Sequence, residues 1–233
     1  MNGEILGNTQ DLAQRLIAKT YQKVTIGLII TGLVMAFMAT FMRNFIMSMG
    51  LGTSLIFLVI MLALMFMLSR SISNENSSPS TANAIYYTMT VLFGVSVSPL
   101  LVIYNINTIG LAMLATAVMF GGLTYYANHT KKDYIPMSIY LFWGLLAAIV
   151  LSVVAVFIRV PGFYLLIDVI MLVIFAFYII VDTQSVKRFA NQVSSEAQLE
   201  KFSTLGALNI YLDVLNLFEI LVELIGMGQN NNN

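Results

Sequence analysis

Seven long apolar stretches run through this chain, and they decide which solvent it folds in. They are Val24–Met42, Leu51–Ser69, Ala84–Tyr104, Ile106–Tyr126, Ile135–Ile158, Gly162–Asp182 and Thr204–Ile225. Each is close to the roughly 20 residues that cross a bilayer as a helix. Hydrophobic residues make up 59% of the 233 and charged residues only 9%, against about 25% charged in a soluble domain. One water-soluble core cannot hide so much apolar surface. The expected fold class is therefore all-α: a polytopic integral membrane protein, a bundle of seven transmembrane helices.

The connections are too short for a soluble domain. The expected organisation is an N-terminal segment 1–23, a transmembrane domain 24–225 and a low-complexity, disordered tail 226–233. Residues 1–23 are polar and hold no signal-peptide apolar region. The longest expected loops are Arg70–Asn83, with an exposed turn at Asn74–Ser80, and Thr183–Ser203. The third and fourth stretches nearly touch, and a tight hairpin at about Asn105 separates them. Pro99 removes a backbone hydrogen bond and should bend the third helix. Small residues recur at Gly27, Thr31, Gly32, Gly94, Ser96, Ser98, Thr116, Gly121 and Gly122, where they suit close helix packing.

Basic residues orient the chain. With the N-terminus inside, the inner segments hold Arg15, Lys19, Lys23, Arg70, Lys131, Lys132, Lys187, Arg188 and Lys201. The outer segments hold Arg43 and Arg159. This asymmetry predicts a cytoplasmic N-terminus and, after seven crossings, an outside C-terminus. The rival topology has six crossings and a re-entrant last segment. A multi-pass cell-membrane protein is expected, or an endomembrane protein in a eukaryote.

Net charge is zero, from 11 basic and 11 acidic residues, so there is no electrostatic footprint for nucleic acid. There is no Cys, which excludes disulfides and thiolate chemistry. No Walker loop, His-Glu-x-x-His zinc spacing or Gly-x-Ser-x-Gly elbow occurs. No enzyme chemistry and no cofactor are expected.

Chemistry concentrates in the last two stretches, which carry carboxylates. A charge in hydrocarbon costs about 2.5–3.5 kcal/mol on insertion scales and marks ion or proton paths. On the last helix, at ~100° per residue, Asn209, Asp213, Asn216 and Glu223 fall within a sector of roughly 80°, and Glu219 widens it to about 120°. Such a stripe faces protein or water, either as a structural polar network or as an ion path. Asp168 and Asp182 lie fourteen residues apart, on one face of the sixth helix. Asp168, Glu219 and Glu223 fall toward the outer half, where they would concentrate cations.

Asp182 reads either as an interfacial residue at a helix end or as a partner of Asp213. For the two to meet, the sixth helix must run on past Asp182, or the seventh must begin early. Two carboxylates in contact share a proton and titrate as a unit. They also offer oxygen ligands to a hard cation such as calcium. Arg70 reads either as a snorkelling anchor or as a latch pairing with Asp182. His129, the single histidine, lies in a charged loop and should be exposed.

Val181-Asp182-Thr183-Gln184 resembles a Tyr-Asp-Thr-Gln segment, with Val in place of Tyr. Residues 207–218, Ala-Leu-Asn-Ile-Tyr-Leu-Asp-Val-Leu-Asn-Leu-Phe, resemble Ala-Leu-Asn-Leu-Tyr-Leu-Asp-Phe-Ile-Asn-Leu-Phe. Ser98-Pro99 and Lys131-Lys132-Asp133 fit the same pattern. These segments resemble the transmembrane Bax inhibitor motif family over nearly the whole chain. The resemblance implies a seven-helix bundle and, as in bacterial members, a pH-sensitive calcium leak controlled by an aspartate pair, here Asp182 and Asp213. It also implies contact between the two, with calcium as a transient, permeant ion, and a basic latch for which Arg70 is the candidate. Some bacterial relatives instead resemble non-conducting modulators of a membrane-bound protease or other membrane partner. A proton-coupled transporter is a third class. Asp168, Glu219 and Glu223 depart from the family pattern.

Overall fold

The computed structural model describes residues 2–158, 160–190 and 192–230. Its regular elements are helical. They are α1 (Asn2–Phe41), α2 (Arg43–Ser48), α3 (Leu51–Ser73), α4 (Pro79–Val97), α5 (Leu100–Ile103), α6 (Ile106–His129), α7 (Ser138–Ile158), α8 (Pro161–Ala190) and α9 (Glu196–Asn230), with a 3-10 turn at Ile135–Met137 before α7. In hydrocarbon each backbone N–H and C=O must be bonded internally, which a helix achieves within one segment.

Among the described residues, six helices are long and apolar enough to cross a membrane. They fall at Asp11–Phe41, Leu51–Ser73, Pro79–Ile103, Ile106–His129, Ile135–Phe157 and Gly162–Ala190. The expected seventh, within α9, does not reach their apolarity, because Asn209, Asp213, Asn216, Glu219 and Glu223 interrupt it. Large apolar side chains cover the outer surface. Leu33, Phe66, Val118 and Phe157 are all more than 60% exposed, as suits lipid and not water.

Helix ends differ from the sequence expectation in two places along α8 and α9, and the bend expected at Pro99 is found. The third stretch is interrupted between α4 and α5 at Ser98–Pro99. Pro99 has no N–H to give the Val95 carbonyl, and the Ser98 hydroxyl takes that acceptor instead, at 2.7 Å. The expected loop Thr183–Ser203 is mostly helix: α8 runs on to Ala190 and α9 begins at Glu196. Ser195 and Gln198 form a variant capping box that starts α9, with the return bond going to Ser194, one residue before the cap. The Gln198 N–H donates to Ser195 Oγ at 3.2 Å, and Gln198 Oε1 accepts from the Ser194 N–H at 3.0 Å. Lys187 and Arg188 stand in the last turn of α8, where cations suit the helix dipole. The expected disordered tail is helical through Asn230. Arg159 and residues 231–233 lie outside the described residues.

The hairpin at Asn105 matches expectation, whereas the expected loop Arg70–Asn83 shortens to 74–78 because α3 runs to Ser73 and α4 starts at Pro79. Asn105 caps α6 by accepting the Thr108 N–H at 2.8 Å. Ser78 caps α4, with Pro79 in its first turn.

The chain forms two compact units: residues 1–103 with 186–211, and residues 104–185 with 212–233. In the first, α4 packs on α1 and α3 around buried Leu16, Val24, Leu68, Tyr86, Met89 and Tyr211. Thr31 Oγ1 donates to the Thr90 carbonyl at 2.9 Å, and Tyr86 Oη donates to the Lys23 carbonyl at 3.0 Å. A Cβ on Gly94 would lie 2.7 Å from Val34 Cβ and 2.9 Å from the Thr31 carbonyl oxygen, so only glycine permits this approach. Gly32, Gly121 and Gly122, expected to serve packing in the same way, face open space instead. In the second unit, Ala127, Tyr134, Leu141, Ala148, Ile174, Ile180 and Val181 form the core.

The first unit also buries an ionic clamp. Lys23 is 7% exposed. Its ammonium donates to Asn83 Oδ1 (2.8 Å), Glu200 Oε2 (2.9 Å), Ser203 Oγ (2.9 Å) and Thr204 Oγ1 (2.8 Å). Lys19 also bonds the Glu200 carboxylate. Burial acts to raise Glu200, but the hydrogen bonds and charges of Lys19 and Lys23 outweigh it and hold the group down from 4.5 to about 2. Lys201 donates to the Asn74 carbonyl at 2.6 Å.

Gly94→Val should therefore lower the thermal midpoint in detergent by the equivalent of about 1–3 kcal/mol, while Gly32→Val stays near wild type. Equal effects at the two positions would refute the close approach. A carboxylate held below its unfolded value stabilises above that value and loses the contribution as pH falls through the folded one. The midpoint difference between wild type and Glu200→Gln should be full above about pH 4.5 and shrink toward pH 2, read by thermal melts across that range. A difference independent of pH would contradict the clamp.

Candidate functional site

Asp182 and Asp213 both belong to the second unit, and their carboxyls lie close enough to interact directly. Ionised carboxylates only accept, so two of them in contact repel unless one carries a proton. Asp213 is 5% exposed, and its Oδ2 has no hydrogen-bond partner among the described residues. Tyr178, one turn before Asp182, lies within electrostatic reach of both carboxyls.

The continuation of α8 and the early start of α9 make this meeting possible. Within the first unit, Phe189 of α8 stacks on Phe202 of α9 with ring centroids 5.4 Å apart. There Gly206 also gives room to Val186, whose Cγ2 would lie 2.7 Å from a Cβ at that glycine. Within the second unit the same two helices bring Asp182 to Asp213.

A second polar locus lies in the same unit. Asp168 of α8 and Asn216, Glu219 and Glu223 of α9 line a cavity of about 240 Å³, together with Ser152 of α7 and Tyr164 of α8. Asp168 is buried, and its Oδ2 has no hydrogen-bond partner among the described residues. Tyr104 lies within electrostatic reach of Glu223 and Asp168. A Cβ on Gly226 would overlap the Tyr104 ring, so this glycine keeps the ring in place. Asn216 turns its amide back to the Leu212 carbonyl at 2.7 Å.

The expected polar stripe on α9 thus resolves into parts. Asp213 meets Asp182, whereas Asn216, Glu219 and Glu223 face the cavity with Asp168. Asn209 falls in the part of α9 that belongs to the first unit. Arg70 stands in the last turn of α3 with an exposed side chain and no ion pair among the described residues. His129 is exposed, as expected, at the end of α6. Among the described residues, no three carboxylate, histidine or cysteine side chains converge closely enough to hold a metal ion.

Two features escaped sequence reasoning. Lys23 reads from sequence as an ordinary basic flank, yet it is a buried hub. Glu200, Ser203 and Thr204, at helical spacing, were the signal for it. Gln184, two residues after Asp182, ties the 132–134 loop to α8. Its Oε1 accepts the Tyr134 N–H at 2.8 Å, and its Nε2 donates to the Lys132 carbonyl at 2.9 Å. The Asp-Thr-Gln and Lys-Lys-Asp segments therefore meet in space.

The helices and the carboxylates within them define a polytopic, all-helical membrane protein. The chain belongs to the Bax inhibitor family: the family model described as inhibitor of apoptosis-promoting Bax1 matches residues 13–231. Inner membrane protein YbhL of Escherichia coli K12 is 30% identical over 222 residues, covering 91% of this chain and 92% of that protein. An uncharacterized protein of Caulobacter vibrioides is 32% identical over 152 residues, covering 65% of this chain and 61% of its own length. One from Borreliella burgdorferi is 30% identical over 154 residues, covering 66% of each. The chain thus spans under two thirds of the length of these last two relatives.

Gln184→Leu removes both partners from the loop backbone and should cost about 1–3 kcal/mol of stability. Amide hydrogen exchange at Tyr134 should accelerate. Unchanged protection there would show that the tether does not hold the loop.

Proposed function

We propose that this protein lets calcium pass down its gradient through the membrane, with the Asp182–Asp213 pair as the protonation-controlled gate. The observation that carries this reading is the approach of two carboxyls on helices α8 and α9, with Asp213 Oδ2 buried and without a hydrogen-bond partner among the described residues. A structural pair would use that oxygen, because an unsatisfied buried acceptor costs about 1–3 kcal/mol. A shared proton ties the charge of the pair to pH. Deprotonated, the two carboxylates supply up to four oxygens, fewer than the six to eight that calcium takes, with water completing the shell. Such incomplete coordination suits an ion that enters and leaves. Family membership supports the same reading.

The seventh crossing belongs to this proposal. At ~1.5 Å per residue, α9 is roughly 50 Å long, enough to cross a bilayer despite its polar stripe. The basic asymmetry then puts the N-terminus in the cytoplasm and the C-terminus outside. The likeness to an inner membrane protein supports placement in the cell membrane. Reporter fusions after Lys23 and after Gly228 should report opposite sides; same-side reporting would favour a re-entrant α9.

Calcium flux into liposomes that contain only this protein tests the function. A conductor works alone, whereas a regulator of a membrane-bound protease is silent. A proton-coupled transporter would move calcium against its gradient when a pH difference is imposed. Asp182→Asn and Asp213→Asn should each flatten the pH dependence of flux, and the double variant should add little, because the pair acts as one unit. Folded single variants that keep the wild-type pH profile would overturn the gate.

A further inference from the structure

We propose that a groove between α2, α3 and the α4–α5 break holds an anionic glycerophospholipid, with Arg43 at its phosphate. The groove lies within the first unit and has a volume of about 350 Å³. Ile46 and Met47 of α2, Phe57 of α3, and Pro99 and Val102 at the break line it. Pockets that hold small ligands run from roughly 300 to 1,000 Å³, so the space suits the glycerol end of a lipid with the upper part of one acyl chain.

Depth and lining define the ligand. The second span begins at Leu51, and Phe57 lies six residues further in, roughly 9 Å along the helix. That is the depth of the boundary between headgroups and acyl chains, about 5–10 Å. The rim is open, since Met47 is 71% exposed. Thr53, Ser54 and Ser96 also line the groove, and their hydroxyls make no hydrogen bond among the described residues. Elsewhere in these helices a hydroxyl turns back to the carbonyl one turn earlier, as Thr40 does to Ala36 at 2.8 Å and Thr116 to Ala112 at 2.7 Å. Three free donors above an apolar floor suit the ester carbonyls of a glycerolipid.

Arg43 sets the charge of the headgroup. It precedes Ile46 and Met47 by three and four residues, so the three share a face of α2. It is exposed and forms no ion pair among the described residues. No acidic residue occurs between Asp11 and Glu75, or between Glu75 and Asp133, so no wall of the groove carries a carboxylate. The anion for this guanidinium therefore comes from outside these segments. A phosphate beside an apolar chain is what a phospholipid supplies, and the planar guanidinium fork matches it. A zwitterionic headgroup brings its own cation to compete with Arg43, whereas a net-negative one does not.

Site-specific quenching tests the groove, and its result is independent of whether the protein conducts. Phe57→Trp is made in the full-length chain together with Trp143→Phe. The protein is reconstituted in phosphatidylcholine vesicles with rising fractions of brominated phosphatidylglycerol. Wild type, whose single tryptophan Trp143 is 60% exposed on α7, reports the bulk lipid. The groove tryptophan should be half-quenched at a phosphatidylglycerol fraction about fivefold below that for Trp143, the effect of about one basic side chain on an anionic lipid. Arg43→Gln should bring the two curves together, and Arg43→Lys should keep them apart. Val102→Trp, on another wall, gives the same reading if the Phe57 variant does not fold. Coincident curves, a gap that survives Arg43→Gln, or an equal gap with brominated phosphatidylethanolamine would each overturn the site. A groove tryptophan that no lipid quenches would overturn it too, because a second copy of the chain or another protein then covers the groove.

Discussion

A carboxylate among apolar helices must find a proton, a cation or a basic side chain, and the two units of this protein answer that demand differently. In the first, Glu200 is neutralised by Lys19 and Lys23, and the neighbouring hydroxyls complete the ammonium's bonds. In the second, Asp182 and Asp213 turn to each other. The first arrangement is saturated: Lys23 has more acceptors than it has protons to give. The second is not, since Asp213 keeps an oxygen unbonded. Saturated ionic clusters fix helices, whereas unsaturated ones leave capacity for a mobile ion or proton.

Helix ends decide whether the second arrangement can exist. The pair forms because α8 continues for two turns beyond Asp182 and α9 starts two turns before Thr204. The Ser195–Gln198 capping box sets that start, and it is a purely local device. Ser98 plays a comparable local part beside Pro99, supplying a donor where proline has none. Small polar side chains at helix ends thus control where large apolar helices begin and break, and through them where the carboxylates lie.

The apolar surface shows what the membrane asks of the sequence. Most of α3 and α7 presents large exposed hydrophobic side chains, so hydrophobicity there reports contact with lipid and not a core. In such a protein the buried positions are marked by small and polar residues. Gly94, Gly206, Thr31 and Tyr211 sit where helices touch, while Gly121 and Gly122 do not. Residue type alone does not separate these cases, because a glycine toward lipid and a glycine at a crossing look alike in sequence.

By itself the sequence determined that this chain is helical and membrane-embedded, since apolar runs of span length have no other stable solvent. It also determined the hairpin at Asn105, the break at Pro99 and the face of α9 that carries Asp213, because caps, proline and helical period are local properties. The reach of α8 and α9 was legible only in part: Thr183 to Ser203 reads as a polar loop, although the capping box at Ser195 was there to be found. Only the tertiary structure decided which carboxylates meet. Asp213, Asn216, Glu219 and Glu223 share one face, yet one joins Asp182 and the others face a cavity with Asp168. Helical period fixes direction around an axis, but the neighbour at each height depends on where the opposite helix starts, how far it slides and which glycines let it approach.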